Sequence, residues 1–127
     1  MRLFLVRHAE AAPGEPDELR PLTPAGRAAA RDLGERLASE HPAAVVSSPL
    51  LRARETAEQI ARAAGPTPEA DDRLAPGATP EDLRAVVADR GDPVVAVGHQ
   101  PDCSAIFLVL TGDEVEFAPG AVREVQL

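Results

Sequence analysis

The chain has 127 residues, 44% of them hydrophobic and 27% charged, with a formal net charge of -8. That length suits one domain over residues 1–127 with a single core, and the acidic balance argues against non-specific binding to nucleic acid or anionic membrane. One cysteine, Cys103, excludes an internal disulfide, and no stretch approaches the ~20 apolar residues of a membrane span, so the expected setting is cytoplasmic.

Residues 2–6 (RLFLV) form an apolar run that reads as a fully buried strand ending at Arg7 and His8. A proline-rich loop, AAPGEPDELRPL, follows without periodicity. Thr23-Pro24 supplies an N-cap and a first helical residue. Ala25, Ala29, Leu33 and Leu37 then recur at helical spacing, predicting a helix over 24–40 that packs that face inward and stops at His41-Pro42.

Residues 43–47 predict a second buried strand. Beyond Pro49, the positions Ala53, Ala57, Ile60, Ala61 and Ala64 mark an amphipathic helix that Gly65 terminates. Residues 65–79 form a Pro/Gly-rich loop with a short edge strand expected around 72–74. Thr79-Pro80 with Asp82 repeats the capping signature, and Leu83, Val86 and Val87 give that helix its apolar face. Val94 to Val97 is a third buried strand, 102–110 a mostly apolar helix, and 121–127 a closing strand.

Apolar strands alternating with amphipathic helices imply an α/β fold: a three-layer α/β/α arrangement around a mostly parallel sheet. In such folds ligands bind outside the carboxyl ends of the strands. Arg7, His8, Arg52 and His99 all map to that edge. Singly, each has a plainer reading: a solvated strand end, a structural histidine, a helix-surface charge. Together they make a site for a dianionic phosphate, because guanidinium forks match phosphate oxygens and an unprotonated imidazole can attack phosphorus. Neighbouring cations are expected to keep His8 neutral, and His99 is expected to donate to the phosphoryl oxygens in the transition state.

The strand-then-RHA at Arg7-His8-Ala9 resembles the Arg-His-Gly signature of the histidine phosphatase superfamily. RPLTPAG at 20–26, SSPLLRARETA at 47–57 and VGHQP at 97–101 resemble its later blocks in order and spacing. The chain is most similar to the short phosphohistidine phosphatases of the SixA type. The resemblance implies a phosphoglycerate mutase-like fold without a helical cover. It implies His8 as the transiently phosphorylated nucleophile and Arg7, Arg52 and His99 as the phosphate pocket. Arg20 then orders the loop below the site or touches substrate. Ala9 departs from the family's Gly, a change the backbone tolerates if φ there is negative.

No cofactor or metal is expected. His8, His41 and His99 lack ligand spacing, and the two arginines would repel a cation. A general acid for ester cleavage has three candidates, Glu10, Asp72 and Asp102, none compelling. An alkoxide needs such an acid, whereas phosphohistidine expels an imidazole, whose conjugate acid has a pKa near ~6.5. The expected partner is therefore a phosphorylated protein histidine. The alternatives are a small phosphate ester, or a module that only binds phosphate. A cysteine-dependent phosphatase is excluded because Val109, not Arg, stands six residues after Cys103. A sulfate or phosphate anion should bind the pocket.

Overall fold

The computed structural model describes residues 1–127. Five strands and four helices alternate: β1 (Arg2–Arg7), α1 (Pro24–Ala38), β2 (Ala44–Ser47), α2 (Leu51–Ala64), β3 (Glu69–Ala70), α3 (Pro80–Val87), β4 (Val94–Gly98), α4 (Asp102–Thr111) and β5 (Val122–Gln126). The sheet order is β3-β2-β4-β1-β5. The first four strands run parallel, and β5 closes the edge antiparallel to β1.

Period-two alternation along the central strands divides the core. Phe4, Val6, Val45, Val95 and Val97 face α1 and α2, while Leu3, Leu5, Val46, Val94 and Ala96 face α3 and α4. Both faces are covered, which is why these strands read as continuous apolar runs rather than as alternating ones. No helical cover subdomain is inserted over the sheet edge, and no helix is long and apolar enough to cross a membrane.

The caps form as their residues dictate. Thr23 accepts from the Gly26 N–H at 2.9 Å. Thr79 and Asp82 exchange side-chain and backbone hydrogen bonds at 3.1 and 2.9 Å, a complete capping box. Gly65 ends α2 at φ +109°, a backbone angle that favours glycine.

The inward face of α1 keeps the expected Leu33 and Leu37 but differs from the expected one in its first two turns. Ala25 and Ala29 are exposed, and Gly26, Ala30, Leu33, Gly34 and Leu37 are buried. Close backbone approach decides this. A Cβ on Gly26 would lie 2.2 Å from the Glu10 carbonyl oxygen, and one on Gly34 would lie 2.8 Å from the Ile60 Cα. Only glycine permits either crossing. The helix also stops at Ala38 rather than 40. The edge strand lies at Glu69–Ala70, ahead of the expected 72–74, which instead form a 3-10 turn. Cys103 is buried at 1% exposure in the α4 packing, and burial pushes its thiol up to about 12, the behaviour of a core residue.

Candidate active site

The carboxyl ends of β1 and β4 and the first turn of α2 meet at one edge of the sheet. The β1 register pairs Arg7 with Gly98. His8 N–H donates to the Gly98 carbonyl at 3.0 Å, and Gly120 N–H is shared by the Arg7 and His8 carbonyls at 3.1 Å each. On the α2 side, Ala9 N–H donates to Thr56 Oγ1 at 3.0 Å, and that hydroxyl donates to the Arg52 carbonyl at 2.8 Å. Ser48 N–H reaches the Val97 carbonyl at 3.0 Å. The turn bearing Arg7 and His8 is thus held by three separate elements. Ala9 fits it without strain, because the only non-glycine with positive φ is His41.

Here a cleft of about 350 Å³ is lined by Arg7, His8, Asp17, Arg20, Arg52, Pro76, His99 and Gln100. All five residues expected from the sequence therefore share one cavity. The His8 and His99 ring centroids are 5.2 Å apart. Each arginine is aimed by a backbone carbonyl: Arg7 donates to Phe117 at 2.8 Å, Arg52 to Asp17 at 2.9 Å and Arg20 to Ala12 at 2.8 Å. Such contacts fix the guanidinium forks without cancelling their charge. Arg7 Nε and His99 Nδ1 are both buried with no protein partner, a costly state for polar groups unless something else satisfies them.

The two imidazoles are set differently. His8 Nδ1 lies 2.8 Å from the Ala9 carbonyl, which can only accept, so the proton sits on Nδ1 and Nε2 carries the free lone pair. Burial first, then the charges of Arg52, Arg7 and Arg20, hold His8 below its ordinary 6.5. Burial, rather than the neighbouring cations expected from the sequence, is the larger cause. His99 Nε2 meets Ser48 Oγ at 2.7 Å, and burial followed by repulsion from His8 and Arg52 takes this ring down to about 4. Both rings are neutral at neutral pH.

None of the three candidate acids lines the cleft. Glu10 is exposed and accepts from Thr23 Oγ1 at 2.7 Å. Asp72 is exposed on its 3-10 turn. Asp102 accepts from the Gly77 N–H at 2.8 Å, so it holds the turn next to Pro76 instead. The carboxylate that does line the cleft is Asp17, on the 3-10 turn Asp17–Leu19 of the proline-rich loop. Its Oδ1 accepts from Arg20 at 3.0 Å and its Oδ2 from Arg52 at 3.3 Å. The Arg20 hydrogen bond, with help from Arg52, holds this carboxyl below the usual carboxylate range. Sequence reading missed Asp17 because its loop has no periodicity. Its spacing three residues before Arg20 was the available signal.

A mostly parallel sheet with arginines and neutral histidines converging at its carboxyl edge defines an α/β protein with a cationic cleft where such folds place their sites. The family model for the histidine phosphatase superfamily (branch 1) matches residues 3–76, and the chain belongs to that superfamily. It is 39% identical over 112 residues to an uncharacterized protein of Picosynechococcus sp., covering 80% of this chain and 68% of that one. Among solved structures it is similar to the protein histidine phosphatase SixA complexed with tungstate, with a TM-score of 0.88 and 26% identity, covering 100% of this chain and 88% of that one. It is also similar to the Agrobacterium tumefaciens protein assigned as phosphohistidine phosphatase SixA, with a TM-score of 0.81 and 28% identity, covering 97% and 89%.

Proposed function

We propose that this chain is a phosphatase that passes its phosphoryl group through His8 and acts on phosphohistidine carried by a protein. The observation that carries the reading is the His8 ring. Its Nδ1–H is committed to the Ala9 carbonyl, so Nε2 is left as a nucleophile in a cleft walled by Arg7, Arg20 and Arg52.

Charge and hydrogen-bond supply divide among the neighbours. Arg7 and Arg52 bind the phosphoryl oxygens bidentately. Ser48 Oγ accepts from the Leu50 N–H at 3.2 Å, and in this reading its own proton goes to His99 Nε2, 2.7 Å away. The ring proton of His99 then sits on the unpartnered Nδ1, ready to donate to an oxyanion. Arg7 Nε is the second unpartnered group such an anion would satisfy. The solved relative SixA, complexed with the oxyanion tungstate, supports oxyanion binding by a protein of this fold.

Leaving-group chemistry favours a P–N bond. The one carboxyl in the cleft is held ionised by Arg20 and Arg52 and cannot protonate an alkoxide. An imidazole departs without that help. The test compares kcat/KM for a phosphohistidine-bearing phosphocarrier protein with a panel of small phosphate esters, alongside rapid-quench labelling. Faster phosphohistidine turnover with acid-labile phosphate on His8 is expected. Faster turnover of any ester would overturn the substrate assignment, and an unlabelled His8 would overturn the mechanism.

A further inference from the structure

We propose that Asp17 is a specificity-determining residue. Its carboxylate, at the wall of the cleft, selects phosphoryl donors whose leaving group carries positive charge. This deepens the phosphohistidine reading and rests on it for the identity of the natural substrate. Asp17 faces Arg52, expected in the phosphate pocket, and Arg20 beside it. It meets Arg20 at 3.0 Å and Arg52 at 3.3 Å, yet its side chain is 61% exposed. Arg52 does not depend on the carboxylate for its aim, because its other nitrogen donates to the Asp17 backbone carbonyl at 2.9 Å. An arriving phosphoryl group can therefore take the longer Arg52 contact. The carboxylate then remains with Arg20 at the solvent side of the cleft, where a leaving group departs.

The chemistry gives that charge a use. Phosphohistidine cleaves when the distal nitrogen of its ring is protonated. The His8 Nε2 lone pair forms the new N–P bond while the substrate's P–N bond breaks. The bonding pair returns to the substrate nitrogen, and a neutral imidazole leaves with its distal proton in place. Water later attacks the phosphoryl group, the electron pair of the His8 N–P bond returns to Nε2, and both water protons leave on the released inorganic phosphate. A carboxylate beside the ring favours the protonated, reactive form. The same charge repels a donor that bears a second anionic group near phosphorus, so discrimination has an attractive and a repulsive part.

Asp17→Asn removes the charge and keeps the shape and the backbone carbonyl. The readout is the ratio of kcat/KM for free N-phosphohistidine to kcat/KM for phosphoglycolate, whose carboxylate lies close to phosphorus. We expect the ratio to fall about tenfold, the effect of one unit of ring pKa, with the phosphoglycolate rate rising. The alkaline limb of the phosphohistidine profile should move to lower pH, and Asp17→Glu should restore both. A ratio unchanged within twofold, with both rates falling together, would mean that Asp17 only props the arginines, and would overturn the proposal. The wild-type ratio alone tests the phosphohistidine reading, and the change on substitution tests Asp17, so the two can fail separately.

Discussion

Two clefts on this molecule are each lined by three arginines, and they differ in almost everything else. The larger, about 660 Å³, runs between α1 and α2 past Arg27, Arg31 and Arg62. The smaller, about 350 Å³, holds Arg7, Arg20 and Arg52. In the larger groove all three side chains are exposed on helix surfaces, and only Arg27 has an ionic partner, Glu55 at 3.3 Å. In the smaller, every guanidinium is tied to a main-chain carbonyl, and two neutral histidines stand beside them. Positive charge alone does not make a phosphate site. Exposed arginines without such anchors lose more side-chain entropy on binding than forks already aimed by carbonyls.

That contrast can be broken most forcefully at the nucleophile. His8→Ala should lower kcat on phosphohistidine by at least about 10⁴-fold and leave no acid-labile label on the chain. Retention of a few per cent of activity would end the covalent mechanism. Next in size, Arg52→Ala should raise the barrier by about 3–4 kcal/mol, read as kcat/KM. Its unfolding transition should remain cooperative, showing that the loss is catalytic.

Acid should separate the histidines from everything else. His8 must be unprotonated to attack and is held below 6.5, so the acid limb of kcat/KM should lie below that pH, while the alkaline limb belongs to the substrate ring. Stability should move the same way. An unfolded chain protonates its histidines near ~6.5, whereas folded His99 waits until about 4. Between those values the unfolded state binds more protons, so stability is full above 6.5 and declines as pH falls toward 4. Urea unfolding at pH 7 and pH 5 should show a smaller decline for His99→Gln than for the parent chain.

The smallest effects belong to the larger groove. Arg31→Ala and Arg62→Ala should change kcat/KM less than twofold and stability by no more than about 0.5 kcal/mol. A large catalytic loss from either would erase the distinction between aimed and free arginines.

Residues at strand ends were legible in the sequence because a strand's apolar run announces where it stops. The element order places the stops of the four parallel strands on one edge. Arg7, His8 and His99 follow from that reasoning, and Arg52 from its place in the first turn of the next helix. Asp17 does not, because it reaches the cleft through a loop whose path is set by long-range contacts such as the Ala11–Leu22 bridge. The first two turns of α1 were misread for a different reason. Alanine at 25, 29 and 30 is equally apolar in each place, so hydropathy cannot orient the helix. The deciding contacts are the bare backbones of Gly26 and Gly34 against Glu10 and Ile60. Periodicity reports which side chains avoid water, not where two backbones touch.

The stretch between α4 and β5 has no regular structure, yet it supplies the Phe117 carbonyl that grips Arg7 and the Gly120 amide that binds the Arg7 and His8 carbonyls. Phe117 itself is locked against Phe107, with ring centroids 6.0 Å apart. A random-mutagenesis screen for inactive but folded variants should therefore return substitutions in this connecting segment as well as at the chemical groups. Such hits would read as remote when plotted along the chain, although in space they lie one hydrogen bond from the guanidinium.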